Sequence, residues 1–333
     1  MAGLTLIAGA GGFIGGQLVR SLVESGASVR AVDIKPFSHW FFKSNNAENQ
    51  ILDLRELEAC KIATRSVDQV YNLAADMGGM GFIENNKTLC MLSVLINTHM
   101  LMASLENGVA RFFFSSSACV YAEHLQRATD IRGLKEEDAY PAMPEDGYGW
   151  EKLFSERMCR HFREDFGIAT RVGRYHNVYG PFGTWDGGRE KAPAAISRKI
   201  AMAILEGRNE IEIWGDGEQT RSFTYIDDCL AGTKLLMKSD FADPLNIGSD
   251  EMVTINGLVD IVEEIAGVKL RRTYNLDAPK GVRGRNSDNT LIKQILSWAP
   301  SIKLGDGMEK TYRWIYDQVR ARAEGRPFVA AYE

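Results

Sequence analysis

Strand-length apolar runs alternate with segments of helical period along the first part of the chain. The runs lie at residues 4–8, 29–34, 70–74 and 111–115. An apolar run without polar alternation is typical of a strand that is buried on both faces, and the intervening segments are long enough to form crossover helices. The alternation therefore predicts an α/β fold, in which a parallel sheet is covered by helices on both faces.

The first run leads into a glycine-rich turn that opens a helix, Gly9-Ala-Gly-Gly-Phe-Ile-Gly15. A backbone without side chains allows a pyrophosphate to come close, and the N-terminus of the following helix stabilises its charge. We therefore predict a Rossmann-type doubly wound sheet that binds a dinucleotide through Gly9, Gly12, Phe13, Ile14 and Gly15. Alone, the motif is weak evidence, because a glycine turn can also serve only to pack a strand against a helix.

Carboxylates follow the second and third strands at positions that suit an adenosine group. Asp33 ends the second strand, where a carboxylate accepts hydrogen bonds from the ribose hydroxyls and repels a 2'-phosphate. This position favours NAD over NADP as the cofactor, although Arg30 and Lys35 lie nearby. Asp53 and Leu54 are predicted to contact the adenine, and a helix N-cap at Asp53 is the alternative.

After about residue 180 the pattern changes to glycine-rich and charged loops. We expect residues 1–180 to form the NAD-binding domain, with returning segments at about 218–248. Residues 181–217 and 249–333 would form a smaller, interwoven α/β lobe that binds the substrate, with a cleft between the two as the expected site. Helices are predicted around 192–206, 255–266 and 306–324, and strands near 221–227 and 244–248 are predicted to return to the first domain.

Composition argues against several classes of function. The 333 residues carry 39 Lys and Arg against 44 Asp and Glu, a formal net charge of -5, which disfavours bulk nucleic-acid binding. The five cysteines are odd in number and lack paired metal-ligand spacing, so we expect a cytoplasmic protein without a metal site. No apolar stretch is expected to reach membrane-spanning length, and residues 4–8 are predicted to be a buried strand rather than part of a signal peptide.

Tyr148 and Lys152 are spaced four residues apart, which places both side chains on one face of a helix. The Lys152 ammonium and a positively charged nicotinamide would both lower the pKa of the Tyr148 phenol, making it a base for a carbinol proton. Ser117, at a strand end, is predicted to hydrogen-bond the same carbinol oxygen. Tyr-x-x-x-Lys also occurs by chance on many helices, so the pair gains weight from the dinucleotide turn before it.

Longer strings of sequence are more specific than these short motifs. They lie at residues 72–82, 116–121, 180–185, 188–195, 214–217, 246–252 and 281–289. In these strings the chain resembles the extended short-chain dehydrogenase/reductases of the NAD-dependent epimerase/dehydratase family, and more closely the GDP-mannose 3,5-epimerases. The resemblance covers most of the chain and implies a homodimer that packs through helices near 91–104 and 148–160.

The resemblance implies a nucleotide-sugar isomerase that uses bound NAD. In that family the sugar is oxidised transiently at C4, the ketone acidifies the hydrogens at C3 and C5, and the same cofactor reduces C4 again. The family's acid/base pair, a cysteine and a lysine, matches Cys119 and Lys191. Without the resemblance, Cys119 would be read as a small buried residue and Lys191 as a solvated one. The implied reaction converts GDP-D-mannose to GDP-L-galactose, with the C5 epimer GDP-L-gulose as a further candidate product.

The same resemblance implies the groups that hold the substrate. Arg221 and Arg283 match positions that bind the diphosphate, a task suited to a planar, permanently charged guanidinium. Gly78 and Gly79 would let the sugar lie close to the backbone. The other implied contacts are Ser117, Asn177, Glu190, Lys191, Lys199 and Gln219. An ordinary salt bridge is the alternative for Lys199 and for Arg285, and His176 is predicted to be a hydrogen-bonded strand residue.

Two other functions stay open. One is a C4 epimerase of another nucleotide sugar, which would use Tyr148 and Lys152 without proton exchange and leave Cys119 as filler. The other is a non-catalytic NAD-binding member of the family. A 4,6-dehydratase is disfavoured, because Ala118 and Cys119 stand where its acidic pair would be.

Overall fold

The computed structural model describes residues 3–329. Its strands, numbered along the chain, are β1 (Thr5–Ala8), β2 (Val29–Asp33), β3 (Glu48–Ile51), β4 (Gln69–Asn72), β5 (Arg111–Ser117), β6 (Ala169–Tyr175), β7 (Val178–Tyr179), β8 (Glu210–Trp214), β9 (Thr220–Ser222), β10 (Thr224–Tyr225), β11 (Pro244–Ile247), β12 (Met252–Thr254), β13 (Arg271–Asn275) and β14 (Gly284–Arg285). Its α-helices are α1 (Phe13–Glu24), α2 (Leu57–Thr64), α3 (Met80–Asn85), α4 (Lys87–Met91), α5 (Ser93–Glu106), α6 (Tyr148–Phe166), α7 (Ala192–Leu205), α8 (Ile226–Lys238), α9 (Ile255–Ala266), α10 (Thr290–Leu296) and α11 (Leu304–Ala323).

A seven-stranded parallel sheet in the order β11-β6-β5-β4-β1-β2-β3 forms the centre of the larger domain. Neighbouring residues of its strands belong to two different cores. Leu6 and Phe112 pack in the core that includes α2, α5 and α6, whereas Ile7 and Phe113 pack in the core that includes α1 and α8. Because both faces are covered, the strands need apolar residues at successive positions. The doubly wound α/β fold predicted from the apolar runs is confirmed.

Short strand pairs and three helices build the smaller lobe. β8 pairs with β13, β9 pairs with β12 and β14, and α7, α9 and α11 pack against one another. These helices match those predicted from the sequence. The strand predicted near residues 221–227 is two strands, because β9 joins the smaller lobe and β10 pairs with β7. Neither joins the large sheet, whereas β11 does so as an edge strand.

A buried ion pair connects α6 to the large sheet. The Arg174 guanidinium on β6 donates to both Glu156 carboxylate oxygens at 2.7 and 2.9 Å, and the Ser116 hydroxyl on β5 donates to the same carboxylate at 2.5 Å. At the strand ends, a ring nitrogen of His176 lies 2.9 Å from the side-chain oxygen of Asn246. Burial lowers the pKa of His176 to about 3, so this residue is a neutral hydrogen-bonding group.

The segment formed by α4 and α5 is more apolar than the sequence analysis allowed. Residues 87–106 are long enough, with a mean hydropathy of 1.6, to cross a membrane by length and composition alone. This finding corrects the expectation that no stretch reaches that length. A core helix of a soluble protein passes the same test, and Met100 and Leu101 are fully buried beneath the sheet. Met91, Leu95 and Met102 on the same segment are exposed.

Removing one member of the buried ion pair should destabilise the fold strongly. Arg174→Ala would leave the Glu156 carboxylate buried without a counter-ion, so we expect the free energy of unfolding to fall by about 3–5 kcal/mol. Urea denaturation followed by circular dichroism measures this change. Arg160→Ala, which breaks an exposed ion pair with Glu164 on the same helix, is the control and should leave the midpoint nearly unchanged. Equal effects of the two substitutions would contradict the role given to the buried pair.

Candidate active site

The glycine turn between β1 and α1 leaves room for a phosphate group. Gly9 has a φ of +83°, and a Cβ on Gly15 would lie 2.1 Å from the Gly9 carbonyl oxygen. Gly12 stands at the N-cap of α1 without a capping side chain, and no acidic residue occupies the first turn. The backbone N–H groups of that turn are therefore available to an anion, and the turn fits the diphosphate of a dinucleotide.

The cleft that begins at this turn has a volume of about 480 Å³, and every residue predicted to bind the cofactor lines it. The Asp33 carboxylate accepts hydrogen bonds from the backbone N–H groups of Gly11 (2.9 Å) and Lys35 (3.0 Å). Each carboxylate oxygen can accept a second bond, so Asp33 can still hold a ribose hydroxyl. Asp53 is paired with Arg55 instead of capping a helix. The alternative of an N-cap at Asp53 was wrong, since α2 begins later, at Leu57.

Helix α6 brings Tyr148 and Lys152 into this cleft as buried side chains. The Lys152 Nζ lies 5.4 Å from the centre of the Tyr148 ring. Burial raises the pKa of Tyr148 well above its usual value, Cys119 raises it further, and hydrogen bonding with Ser117 lowers it. The sequence predicted that Lys152 lowers the pKa of the Tyr148 phenol. In the protein without a cofactor this pKa is raised, because desolvation of the phenolate has the larger effect. A bound nicotinamide cation is the group that can offset this desolvation.

Cys119 lies in a short 3-10 helix, Ala118–Val120, directly after β5. Its backbone N–H donates to the Ser117 hydroxyl at 3.2 Å, and Arg285 Nη1 lies 3.5 Å from its sulfur. Burial and the Glu145 carboxylate raise the pKa of the thiol to about 11, while Arg285 opposes them. Desolvation and Glu145 therefore outweigh the guanidinium, and the thiol form is favoured.

Lys191 lines the same cleft at the N-cap position of α7. Burial lowers the pKa of its ammonium, and the nearby Cys119 raises it. The two side chains therefore lie within electrostatic reach of each other. A lysine with a lowered pKa is a better base near neutral pH than a solvated one. Lys191, Tyr148 and Ser117 line the cleft, whereas Cys119 is not among its lining residues and packs in a core cluster with Tyr148. The paired role of Cys119 and Lys191 stays a prediction.

Arg221 is a buried guanidinium on β9 that has carbonyl partners. It donates to the carbonyl oxygens of Thr220, Lys280 and Val282 at 2.6–3.2 Å. Burial lowers its pKa to about 10, and Arg285 contributes to this effect. Among residues 3–329, Gln219 just before β9 also has a buried side-chain oxygen without a hydrogen-bond partner. A guanidinium bound mainly by carbonyls suits an incoming diphosphate.

Other predicted substrate residues have protein partners. Arg283 Nη1 donates to both Asp216 carboxylate oxygens at 2.9 and 3.0 Å, and Lys199 donates to the Glu212 carbonyl oxygen at 2.8 Å. Asn177 has a φ of +41°, and its amide donates to a carbonyl oxygen of β9 at 3.1 Å. To bind the substrate, Arg283 would have to leave or share Asp216, so its predicted role stays a prediction.

Gly78 and Gly79 pack against the segment that carries Lys191. A Cβ on Gly79 would lie 2.4 Å from the Glu190 carbonyl oxygen, and a Cβ on Gly78 would lie 2.8 Å from the Phe82 side chain. The Glu190 carboxylate accepts from an arginine on α7 at 2.8 Å. Glycine is therefore needed at both positions to let the loop before α7 pack closely. This structural reason stands beside the sugar contact predicted from the sequence.

Three buried side chains near this site, Glu145, Gln126 and Glu151, were not predicted from the sequence, and Arg285 has the salt bridge that was given as its alternative. Arg285 pairs with Glu145 and donates from Nε to Gln126 Oε1 at 2.7 Å. Glu151 is buried with Lys152, with 3.5 Å between carboxylate oxygen and Nζ. Arg285 lies in a string that carried the family resemblance, which was a usable signal. Glu145 and Gln126 lie 140 and 159 residues from Arg285 along the chain, and no motif joins them to it.

Known nucleotide-sugar epimerases are similar to this chain over most of its length. Residues 5–248 match the model of the NAD dependent epimerase/dehydratase family. GDP-mannose 3,5-epimerase 1 from Oryza sativa subsp. indica is 50% identical over 327 residues, which cover 98% of this chain and 85% of that protein. GDP-mannose 3,5-epimerase from Arabidopsis thaliana is 49% identical over 321 residues, which cover 96% of this chain and 84% of that protein.

Solved structures of epimerases share the fold. UDP-glucose 4-epimerase from Thermotoga maritima, solved with UDP-glucose, aligns with a TM-score of 0.84 and 26% identity, covering 94% of this chain and 99% of that one. UDP-glucuronic acid 4-epimerase from Bacillus cereus, solved with UDP-glucuronic acid and NAD, aligns with a TM-score of 0.80 and 25% identity, and it also covers 94% of this chain and 99% of that one. The glycine turn, Asp33 and the buried Tyr148 and Lys152 fit the same cofactor, NAD. The chain therefore belongs to the NAD dependent epimerase/dehydratase family.

Proposed function

We propose that this protein is a GDP-mannose 3,5-epimerase, which converts GDP-D-mannose to GDP-L-galactose and releases GDP-L-gulose as a second product. Two groups support this proposal: the thiol of Cys119, which packs with Tyr148, and the amine of Lys191, which lines the cleft with Tyr148 and Ser117 and is influenced by the thiol. A C4 epimerase has no proton to exchange at carbon and needs neither group. The relatives named GDP-mannose 3,5-epimerase are about half identical to this chain, whereas the solved 4-epimerases are about a quarter identical.

Oxidation at C4 depends on three side chains of the protein. A bound NAD would supply the hydride chemistry, taking one proton and two electrons together from C4 and returning them later. Tyr148 takes the proton of the C4 hydroxyl, and Ser117 orients that oxygen through a hydrogen bond. The Lys152 ammonium, 5.4 Å from the Tyr148 ring centre, favours the ionised phenol in this buried site.

Cys119 and Lys191 exchange the protons at C3 and C5. The C4 ketone acidifies both neighbouring C–H groups, because the negative charge left by proton removal spreads onto its oxygen. One side chain removes a proton, and the other delivers a proton to the opposite face, so the carbon inverts. Burial favours the uncharged form of each group, a thiol that can donate and an amine that can accept. The pair therefore holds one transferable proton.

Incubation of the purified protein with GDP-mannose in heavy water tests the proposal. We expect deuterium at both C3 and C5 of the recovered GDP-sugars, because side chains that exchange with solvent deliver the new protons. Mass spectrometry and proton NMR read the positions. Deuterium at neither carbon would contradict the proposal and leave C4 chemistry on another nucleotide sugar. Tightly bound NAD without any turnover would indicate a non-catalytic member of the family.

Substitution of Cys119 separates C4 oxidation from proton exchange. Cys119→Ala should retain C4 oxidation, read as transient NADH absorbance after GDP-mannose is added. Its deuterium incorporation at C3 and C5 should fall by roughly 100-fold or more, the usual loss for a general acid or base. Tyr148→Phe is the matched variant and should abolish both signals. Normal incorporation in the Cys119→Ala protein would overturn the role of the thiol.

We also propose a homodimer that acts on GDP-sugars in the cytoplasm, without nucleic acid or a membrane. The proposed interface is the apolar patch of α4, α5 and α6, which we define by Met91, Leu95, Met102, Trp150 and Phe154. These side chains are between 39% and 52% exposed, and α5 packs beside α6, so the patch is continuous across neighbouring helices. An exposed apolar patch of this kind is typical of a subunit interface. All five cysteines are free, as expected of a cytoplasmic protein.

Charge placed in the apolar patch should separate the subunits. The wild-type protein should sediment at twice the 37.1 kDa chain mass, and the Leu95→Asp/Phe154→Asp double variant should sediment as a monomer, because each carboxylate would be buried in the interface. Leu276→Asp, at a position that is 58% exposed and outside the patch, is the control and should remain dimeric. A monomeric wild type, or a dimeric double variant, would contradict this interface.

A further inference from the structure

Cys119 belongs to a buried polar cluster with Arg285, Glu145 and Gln126. Arg285 spans the cluster: Nη1 lies 3.5 Å from the thiol sulfur, Nε donates to Gln126 at 2.7 Å, and Nη2 pairs with Glu145. The Glu145 backbone N–H donates to the Cys119 carbonyl oxygen at 3.1 Å. The chain segment that carries this carboxylate is therefore fixed to the turn that carries the thiol.

One carboxylate oxygen of the cluster lacks a hydrogen-bond partner. Among residues 3–329, Glu145 Oε2 is buried without a hydrogen-bond partner, although Oε1 is paired with Arg285. The Glu145 side chain is only 10% exposed, and Arg285 and Cys119 are 4% and 6% exposed. A buried carboxylate oxygen without a partner is costly, and a thiol S–H is a donor that can satisfy it.

We propose that Glu145 keeps Cys119 in its protonated form, by neutralising Arg285 and by accepting the thiol S–H on Oε2. This inference rests on the proposed function, in which Cys119 exchanges protons with the sugar. Glu145 acts through Cys119 and Arg285, so it is a positioning residue. Its effect is to preserve the acid member of the acid/base pair.

The charged groups around the thiol explain why such a residue is needed. Arg285 on β14, Arg221 on β9 and Lys191 before α7 all favour the thiolate. Glu145, just before α6, and Tyr148, the first residue of α6, favour the thiol. Without Glu145, the sulfur would face the two guanidinium groups of Arg285 and Arg221 in a buried site, and the thiolate would form at lower pH. A resting thiolate has no proton to deliver to the sugar.

Glu145→Gln tests the inference, since it removes the charge but keeps an oxygen for Arg285. The probe is iodoacetamide, applied over a range of pH, with the Cys119 peptide quantified by mass spectrometry. Only the thiolate reacts, so a fall of one unit in the thiol pKa gives a roughly tenfold faster reaction near neutral pH. We expect an acceleration of at least that size, and a rate that levels off at lower pH than in the wild type.

Two variants serve as controls. Asp146→Asn removes the neighbouring carboxylate, which is exposed and paired with Lys87, and it should react as the wild type does. Glu145→Asp retains the charge and should stay close to the wild type. Equal reaction rates of Glu145→Gln and the wild type on the high-pH plateau would show that the pocket has not simply opened. Unchanged or slower alkylation of Glu145→Gln near neutral pH would overturn the inference, as would equal acceleration in Asp146→Asn.

Deuterium exchange at C3 and C5, measured on the same variants, separates this inference from the proposed function. If Glu145→Gln shifts the alkylation profile and the exchange profile together, both stand. If only the alkylation profile shifts, Glu145 controls the thiol, but Cys119 is not the exchanging group. Failure of the inference with exchange intact would leave the proposed function unaffected.

Discussion

One buried ion pair, between Glu156 on α6 and Arg174 on β6, fixes the position of the helix that carries Tyr148 and Lys152 against the large sheet. Glu156 lies on α6, two turns after Tyr148 and one after Lys152, and it also accepts a hydrogen bond from Ser116 on β5. The residues that follow Ser116 are Ser117 and the turn with the thiol. Because a buried pair of this kind is costly to desolvate, its main role here is to position α6 against the sheet rather than to add net stability. A shift of the helix along the strand would separate the phenol from the serine and the thiol together.

Burial has the largest effect on the protonation of the groups in and next to the cleft. It is the largest influence on the pKa values of Tyr148, Cys119 and Lys191, and it favours the uncharged form of each. Nearby charged side chains account for the rest of each pKa shift, and they occur in pairs of opposite sign such as Arg285 with Glu145. A fold shared with 4-epimerases can therefore support additional proton exchange through a thiol and an amine, without any change in its sheet.

Local patterns predicted the parts of the site that depend on short sequence separation. The glycine turn, Asp33 at a strand end, and the Tyr148–Lys152 spacing each follow from one strand or one helix, and the apolar runs predicted both covered faces of the sheet. The contact of Arg285 with Glu145 could not be predicted, because residues 140 apart meet only through tertiary packing. The raised pKa of the thiol also depends on tertiary packing, because burial is its largest cause and Glu145 adds to it. The segment near 221–227 also split into two strands, which hydrophobicity alone could not indicate.

The central claim is that one cleft oxidises C4 reversibly and exchanges the protons on both neighbouring carbons. Its most direct test uses GDP-mannose that carries deuterium at C3, C4 and C5, incubated with the protein in ordinary water. The account predicts that the product GDP-L-galactose has lost the label at C3 and C5 and has kept it at C4, because the hydrogen taken from C4 returns to C4. Loss of the C4 label to solvent, or retention of the C5 label in the inverted sugar, would contradict the account.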